Sequence, residues 1–422
     1  MIELKNKAKC CGCTACKSIC PKKCITMQED DEGFLYPVID KGKCVKCGIC
    51  IKVCPFLKPF LPQVPIEVYA AKNKDTKIRK TSSSGGIFMA LAEKVISLGG
   101  VVFGARFDNE WNVYHDYQES IEGIKSFQGS KYVQSDLREC YGQAKIFLEV
   151  GRLVLFTGTP CQIAGLKHFL RKDYENLLTA DIICHGTPSP LVWRNYLKEI
   201  KRDSLRGINT VSLSPIHSSE REGFIDDYET NIDTISFRDK RTGWKKFSFS
   251  LNLTETTAKG KKNTVSLSCI HTENTYLKGF LKNYYIRPSC HNCTARMGKS
   301  NADYTLADFW KVEKFFQDDN IGTSLLLINS LRGKAFLPHD KLYCEKSSID
   351  VIWDSNSPYF QSPIRTYKRK QFWRYYRSNL PLSDIILRLE PTWIDSILLR
   401  FSYYYYRLCL KIKIKKSKKY GL

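Results

Sequence analysis

Two rhythms of apolar residues run through this chain, and a short N-terminal stretch obeys neither. Ile87, Phe88, Leu91, Val95 and Leu98 recur at helical spacing behind the polar run Ser82-Ser83-Ser84-Gly85-Gly86, and Gly99-Gly100 ends the pattern. The spacing predicts a helix over 87–98. IEVYAAKN before it, and VVFGARF and WNVYHDY after it, read as strands. Two strand–turn–helix units come next. RLVLFTGTPCQIAGLKHFL places a buried strand at 152–156, a turn at Gly158-Thr159-Pro160 and a helix beginning near Cys161. LTADIICHGTPSPLVWRNYLKEI repeats the plan, with strand 179–184 ending at Cys184 and a helix from about Pro190. Residues 201–285 are polar and strand-like, with FRDKRTGW (237–244) their most distinctive piece; CHNC (290–293) and the strand-like DYTLADFW (303–310) come after them.

In the first 54 residues cysteine replaces apolar periodicity. Cys10, Cys13, Cys16 and Cys20, followed by Pro21, spell C-x-x-C-x-x-C-x-x-x-C-P, and Cys44, Cys47, Cys50 and Cys54, followed by Pro55, spell it again. This is the bacterial ferredoxin run, in which three cysteines hold one 4Fe–4S cluster and the fourth crosses to the other. The spacing therefore assigns Cys10, Cys13, Cys16 and Cys54 to one cluster, and Cys44, Cys47, Cys50 and Cys20 to its partner. Zinc sites generally use paired C-x-x-C knuckles rather than runs of three, and a disulfide framework would not repeat the period so strictly. Residues 1–58 read as a two-cluster ferredoxin module, with GFLYPVID (33–40) as the connector between its halves. Pro55, Pro59, Pro62 and Pro65 stiffen the stretch after the second phrase, and 59–66 is the expected linker.

Composition adds boundaries to this picture. The chain has 422 residues with 43% hydrophobic content, enough for two or three domains with real cores. Its 18 cysteines come without an apolar leader in MIELKNKAKC, which points to thiolate chemistry in a reducing cytoplasm and to an anaerobic host. The formal charge is +23. Three clusters at about −2 each would reduce it to about +17, a surface that favours acidic partners: a phosphorylated cofactor, an acidic redox protein or an anionic membrane. No nucleic-acid-binding motif accompanies the charge, so nucleic acid is not expected.

If both strand–turn–helix units lie in one parallel sheet, Cys161 and Cys184 share its carboxyl edge, where open α/β sheets place their ligands. Cys290 and Cys293 form a knuckle after a segment long enough to return there. Two plus two gives the four ligands of a further 4Fe–4S cluster. From spacing alone, single buried cysteines and a zinc knuckle stand as equal alternatives.

GTPCQIAGL, CHGTPSP and RPSCHNC followed by SNADYTLADFW resemble the beta subunits of coenzyme F-420 (deazaflavin) hydrogenases and dehydrogenases, here fused to a two-cluster ferredoxin. The resemblance runs from about residue 8 to 335. It implies an α+β protein: an N-terminal bacterial-type ferredoxin fold, then a mixed α/β flavin- and iron–sulfur-binding domain. Residues 67–200 would be the flavin-binding region, 201–375 the C-terminal part with the knuckle, and 376–422 a basic aromatic tail. It also implies FAD beside a 4Fe–4S cluster held by Cys161, Cys184, Cys290 and Cys293. Related members reduce chlorophyll intermediates, and bacterial members with this fusion accompany polysaccharide-biosynthesis genes. His185-Gly186 after the second cysteine, and residues 201–285, depart from the archaeal enzymes, so deazaflavin as the substrate does not carry over.

Ser83, Ser84, Gly85 and Gly86 ahead of a helix suit a pyrophosphate, although a serine N-cap with flexible glycines is the plainer reading of the residues alone. The resemblance tips this stretch toward the flavin. In QGSKYVQSD (128–136), Lys131 is a candidate for offsetting phosphate or reduced-flavin charge and Tyr132 for packing on a ring, against a plain surface loop. Thr157, Gly158 and Thr159 complete the expected rim. Arg238, Lys240, Lys245 and Arg287 are candidates for an anionic or deazaflavin-like substrate or are merely solvated. His185 is a proton relay or a satisfied loop histidine. Cys11, Cys24, Cys140, Cys269, Cys344 and Cys409 lack ligand spacing. Basic residues interrupt the aromatic tail, which excludes a membrane span and leaves peripheral contact with anionic lipid or packing on the protein itself. The leading expectation is an iron–sulfur flavoprotein oxidoreductase acting on a small molecule. An electron-relay subunit and a zinc-containing adaptor are the alternatives.

Overall fold

A computed structural model of the chain describes residues 2, 6–205, 211–212, 228–257 and 260–390. Most of the tail, with Cys409, lies outside the described residues. The segment expected as a connector in the N-terminal module is a strand instead: β1 (Ile25–Glu29) and β2 (Leu35–Ile39) pair antiparallel, Ile25 opposite Ile39 and Glu29 opposite Leu35. Alternation across this hairpin buries Phe34 and Tyr36. The acidic turn between the strands holds Gly33 at φ +81.

The remaining strands in the first half are β3 (Glu67–Asn73), β4 (Val101–Phe107), β5 (Val113–Gln118), β6 (Val154–Gly158) and β7 (Leu177–Ile182); the second half supplies β8 (Tyr228–Asp239), β9 (Ser248–Thr257), β10 (Lys262–Ile270), β11 (Tyr304–Asp308), β12 (Ser324–Ile328) and β13 (Leu342–Ser347). Eight of these form one mixed sheet in the order β13-β3-β12-β11-β7-β6-β4-β5. Its centre, β11-β7-β6-β4, is parallel, and antiparallel strands flank it on both sides. The sheet draws strands from both 67–200 and 201–375, so those stretches share one core.

Side-chain alternation divides that core between the faces. Val102, Leu155 and Leu178 point toward the predicted helix, observed at Ile87–Ser97, whereas Val101, Phe103, Val154, Phe156 and Leu177 meet the helices Cys140–Glu149 and Pro160–Leu170. A three-stranded antiparallel sheet, β10-β9-β8, stands apart and packs its apolar face on the helix Pro190–Leu205. Trp193, Tyr196, Phe237, Phe249 and Tyr276 interlock there.

The N-terminal module is bound to this domain by charge and close contact. Glu29 pairs with Arg194, Asp31 with Arg377, and Glu32 with the buried Arg369. A Cβ on Gly33 would lie 2.3 Å from Leu191 Cβ, and one on Gly12 (φ +71) 2.7 Å from Arg287 Nη1. Glycine is needed at both positions for the module to approach this closely. Among the described residues no helix is long and apolar enough to cross a membrane.

Candidate redox site

The doubled cysteine phrase folds as a doubled backbone. Two residues after Cys10 and Cys44 the chain turns left-handed at Gly12 (φ +71) and Lys46 (φ +54), and again one residue after the second cysteine at Thr14 (φ +58) and Gly48 (φ +74). Such successive left-handed turns bend a short loop around a concave centre. Each half then closes on a single helical turn, Ala15–Ser18 or Ile49–Lys52.

Two cavities result. Cys10, Cys13, Cys16 and Cys54 line one of about 360 Å³, together with Cys11. Cys20, Cys44, Cys47 and Cys50 line the other, about 380 Å³, together with Cys24. In each, three cysteines come from one phrase and the fourth from the other. Among the described residues no carboxylate lines either cavity, so the donor set there is cysteine sulfur, which suits iron–sulfur ligation.

A third cavity of about 510 Å³ lies at the carboxyl edge of β6 and β7, lined by Cys161, Cys184, Cys290 and Cys293. Cys161 occupies the first turn of the helix Pro160–Leu170, whose Thr159–Gln162 capping box fixes where the helix begins. Cys184 lies two residues beyond β7, and the knuckle rides on the short 3₁₀ turn Pro288–Asn292. Polar groups already face these sulfurs: Thr187 N–H donates to Cys290 Sγ at 3.4 Å, and Thr159 Oγ1 lies 3.3 Å from Cys161 Sγ. The Cys293 amide is held by Ser362 Oγ at 3.0 Å.

The three cavities lie in a row. Gly165, one turn after Cys161, packs on Cys13: a Cβ there would fall 2.9 Å from Cys13 Cβ and 3.0 Å from its Sγ. Cys11, which has no ligand spacing in the sequence, contacts both Cys13 and Cys161. Cys24 is likewise no distant bystander, with its Sγ 3.4 Å from that of Cys20. Arg287 bridges the first and third cavities. It is fully buried, donates to Cys10 O (2.7 Å), Leu35 O (2.9 Å) and Gln134 Oε1 (2.9 Å), and lies 3.7 Å from Cys10 Sγ. Among the described residues no carboxylate pairs with it. Burial normally penalises such a charge heavily unless opposite charge is near.

Beyond the third cavity opens a cleft of about 1,410 Å³, sharing Asp181, Ile182, Ile183 and Thr187 with it. Ser83, Ser84, Gly86, Lys131, Tyr132, Thr157, Gly158 and Thr159 all line this cleft. Gly85 does not: its amide donates to Ser324 Oγ (2.9 Å), and a Cβ would lie 2.4 Å from Ala71 O. Its small size lets the loop press onto the sheet. Ser83 Oγ accepts from the Ser130 amide (2.6 Å), which ties the two predicted loops together. Lys131 Nζ is held by the carbonyls of Phe127, Gln128 and Gly129, and burial pushes its pKa down to about 7. Tyr132 stands edge-on to Phe237, its hydroxyl accepting from Arg238.

The substrate-binding candidates are spent on protein partners. Arg238 pairs with Asp308 (2.7 Å), Lys240 donates to the carbonyls of Arg79, Ser84 and Ile321, and Lys245 pairs with Glu313 and Asp318. His185 donates from Nε2 to Asn283 Oδ1 (2.7 Å), away from the cleft lining.

Two groups carried no signal in the sequence. His115 accepts from Ser135 Oγ at Nδ1 (2.8 Å) and donates from Nε2 to Thr157 O (3.0 Å), while Gln162 Nε2 donates to the same Ser135 oxygen (2.9 Å). This chain of hydrogen bonds joins β5, the 133–136 segment, the β6 turn and the Cys161 helix. Burial holds His115 neutral, pushing its pKa down to about 4. Asp181 is 3% exposed and accepts from Ser300 Oγ at 2.6 Å through Oδ2, and among the described residues its Oδ1 has no hydrogen-bond partner. Burial pushes its pKa up to about 7, against the Ser300 and Thr305 hydroxyls and Lys167. Groups displaced in this way, in a cleft, mark functional sites more often than structural ones.

Thiolate cages beside a large cleft define an iron–sulfur redox protein, and comparison with known proteins agrees. Residues 9–57 match the 4Fe-4S dicluster domain. Residues 151–351 match the C terminus of the coenzyme F420 hydrogenase/dehydrogenase beta subunit, so this part of the chain carries that family's domain, with a dicluster ferredoxin at the N-terminus. Among solved structures, a chain of the F420-reducing [NiFe] hydrogenase complex from Methanosarcina barkeri is similar at 17% identity and a TM-score of 0.42, over 75% of this chain and 94% of that one. No curated protein matches.

Proposed function

We propose that this oxidoreductase carries single electrons along three 4Fe–4S clusters to FAD in the large cleft, where a small-molecule substrate is oxidised or reduced. The carrying observation is that the four cysteines expected for each cluster line one of three neighbouring cavities, the last of which shares its wall with the cleft. In this reading Cys20, Cys44, Cys47 and Cys50 hold the distal cluster. Cys10, Cys13, Cys16 and Cys54 hold the middle one, and Cys161, Cys184, Cys290 and Cys293 the one beside the flavin. FAD, when bound, supplies the exchange between one-electron and two-electron chemistry.

The chain's own residues do the rest. Ile87, Phe88, Phe127, Ile182 and Leu306 give the cleft walls that suit a flat ring and exclude water. Ser83, Ser84 and Gly86 supply small polar groups for the phosphates. Neutral His115, fixed by Ser135, holds the Thr157–Thr159 turn in place, and Asp181, its Oδ1 unpartnered among the described residues, keeps a proton between the third cysteine cage and the cleft.

Protein purified without oxygen tests the reading. One FAD per chain, and transfer from the dithionite-reduced protein to one of deazaflavin, nicotinamide nucleotides or sugar nucleotides, is the expected result. The last acceptor tests a role in polysaccharide assembly. Clusters with no flavin would overturn the reading in favour of a relay subunit.

A further inference from the structure

Charge in the N-terminal module is sorted by direction. Its acidic turn faces inward: Glu29, Asp31 and Glu32 meet Arg194, Arg377 and Arg369 of the larger domain, and Asp30 meets Lys7. The opposite end of the same hairpin, beside Ile25 and Ile39, faces solvent. There Lys22, which lines the cavity of Cys20, Cys44, Cys47 and Cys50, is exposed, as are Lys23, Lys41, Lys43, Lys46 and Lys52, each within three residues of one of those cysteines. Asp40, bonded to Lys43 at 3.4 Å, is the one acidic residue on this hairpin end among the described residues. Within the lysine ring, Cys47 is exposed, Val45 is 58% exposed and Val38 is 41% exposed.

An apolar centre at a redox-active sulfur, rimmed by one sign of charge, has the anatomy of a transient docking face. The rim steers the encounter and the centre brings the redox groups close. In the larger domain Arg238, Arg369 and Lys245 are held by carboxylates. In the lysine rim, Lys43 alone has an acidic partner among the described residues.

We infer that the exposed edge of the Cys20/Cys44/Cys47/Cys50 cage, with its rim of Lys22, Lys23, Lys41, Lys43, Lys46 and Lys52, docks a strongly acidic one-electron carrier protein. The inference rests on the cluster assignment proposed above and names the partner that assignment leaves open. The step is one electron per encounter: the carrier's reduced centre is oxidised by one electron, the distal cluster is reduced by one, and no bond or proton is exchanged.

The test uses full-length, cluster-loaded protein in stopped flow, with a reduced acidic flavodoxin as the probe. The natural chain is expected to react at a rate that falls at least tenfold as salt rises from about 0.05 to 0.5 M. Lys41→Glu/Lys43→Glu/Lys52→Glu is expected to react at least tenfold more slowly at low salt and to lose the salt dependence. Dithionite, a small reductant, should reduce both proteins alike. A neutralising variant, Lys41→Gln/Lys43→Gln/Lys52→Gln, should fall between them and serves if charge reversal lowers the iron content. Equal flavodoxin rates for all proteins that dithionite reduces would overturn the docking face alone. Failure of dithionite to reduce the natural chain would instead overturn the cluster assignment, and this inference with it.

Discussion

Arg287 offers the sharpest energetic test of the row of clusters. It is fully buried between the first and third cysteine cages, with Cys10, Tyr36, Cys11, Cys290 and Cys161 among the ionisable groups that sense its charge. Its ring neighbours, Phe34 at 5.3 Å and Tyr36 at 4.2 Å, offer only quadrupoles. In the proposed arrangement its counter-charge is supplied by the anionic clusters. With Nη2 3.7 Å from Cys10 Sγ, the centre of a cube lies on the order of 7 Å from the guanidinium. At an effective dielectric constant of about 20, a unit charge there is worth about 2 kcal/mol, equivalent to about 100 mV for a one-electron couple. Removing the cation disfavours the more negative, reduced form. Arg287→Met should lower the potentials of the middle and third clusters by on the order of 100 mV and move the distal cluster least. Arg287→Lys, which keeps the charge and loses the fork to Cys10 O, Leu35 O and Gln134, should stay near the natural potentials while loosening the module. Electron paramagnetic resonance during a redox titration of oxygen-free protein reads all three. Unchanged potentials in Arg287→Met, or a rise, would refute the placement of the cation between two clusters.

The geometry sets three further outcomes. Gly33→Ala puts a Cβ 2.3 Å from Leu191 at φ +81. It should cost about 2–5 kcal/mol of docking, seen as faster proteolysis of the 59–66 linker with clusters retained; a natural cleavage rate would contradict the close contact. Asp181 has a folded-state pKa raised to about 7 by burial, so the stability it contributes is fully present below about pH 4 and lost as pH rises through about 7. Relative to Asp181→Asn, the natural chain should lose on the order of 3–4 kcal/mol across that window in denaturant titrations; parallel profiles for the two proteins would contradict a protonated carboxyl. Ser135→Ala removes the donor to His115 Nδ1 at 2.8 Å, and FAD affinity should weaken by about tenfold as the Thr157 turn loses its support; unchanged affinity in a fluorescence titration would separate that turn from the flavin.

The sequence was legible where chemistry is local. Ligands three residues apart must share a loop, so the phrases of Cys10–Cys20 and Cys44–Cys54 could be read directly, and the structure shows the same left-handed turns in both. Two consecutive strand–turn–helix units would put Cys161 and Cys184 at one edge if they shared a parallel sheet, and β6 and β7 do pair in parallel. Long-range facts left no such mark. Leu35–Ile39 read as a connector because Pro37 and its short length hide its pairing with β1. His115 looked like any polar position of an alternating strand, and only the fold brings it to Ser135 and Thr157. Cys11 and Cys24 lacked spacing, yet folding sets both against cage cysteines. Arg238, Lys240 and Lys245 looked like free surface cations because their partners, Asp308 and a set of carbonyls, are distant in sequence.

The central claim is most directly tested by counting iron in two proteins purified without oxygen. The natural chain should carry about twelve irons, and Cys161→Ser about eight with the paired signals of the N-terminal clusters intact. A natural chain with about eight, or a Cys161→Ser protein that loses none, would contradict a cluster held by Cys161, Cys184, Cys290 and Cys293.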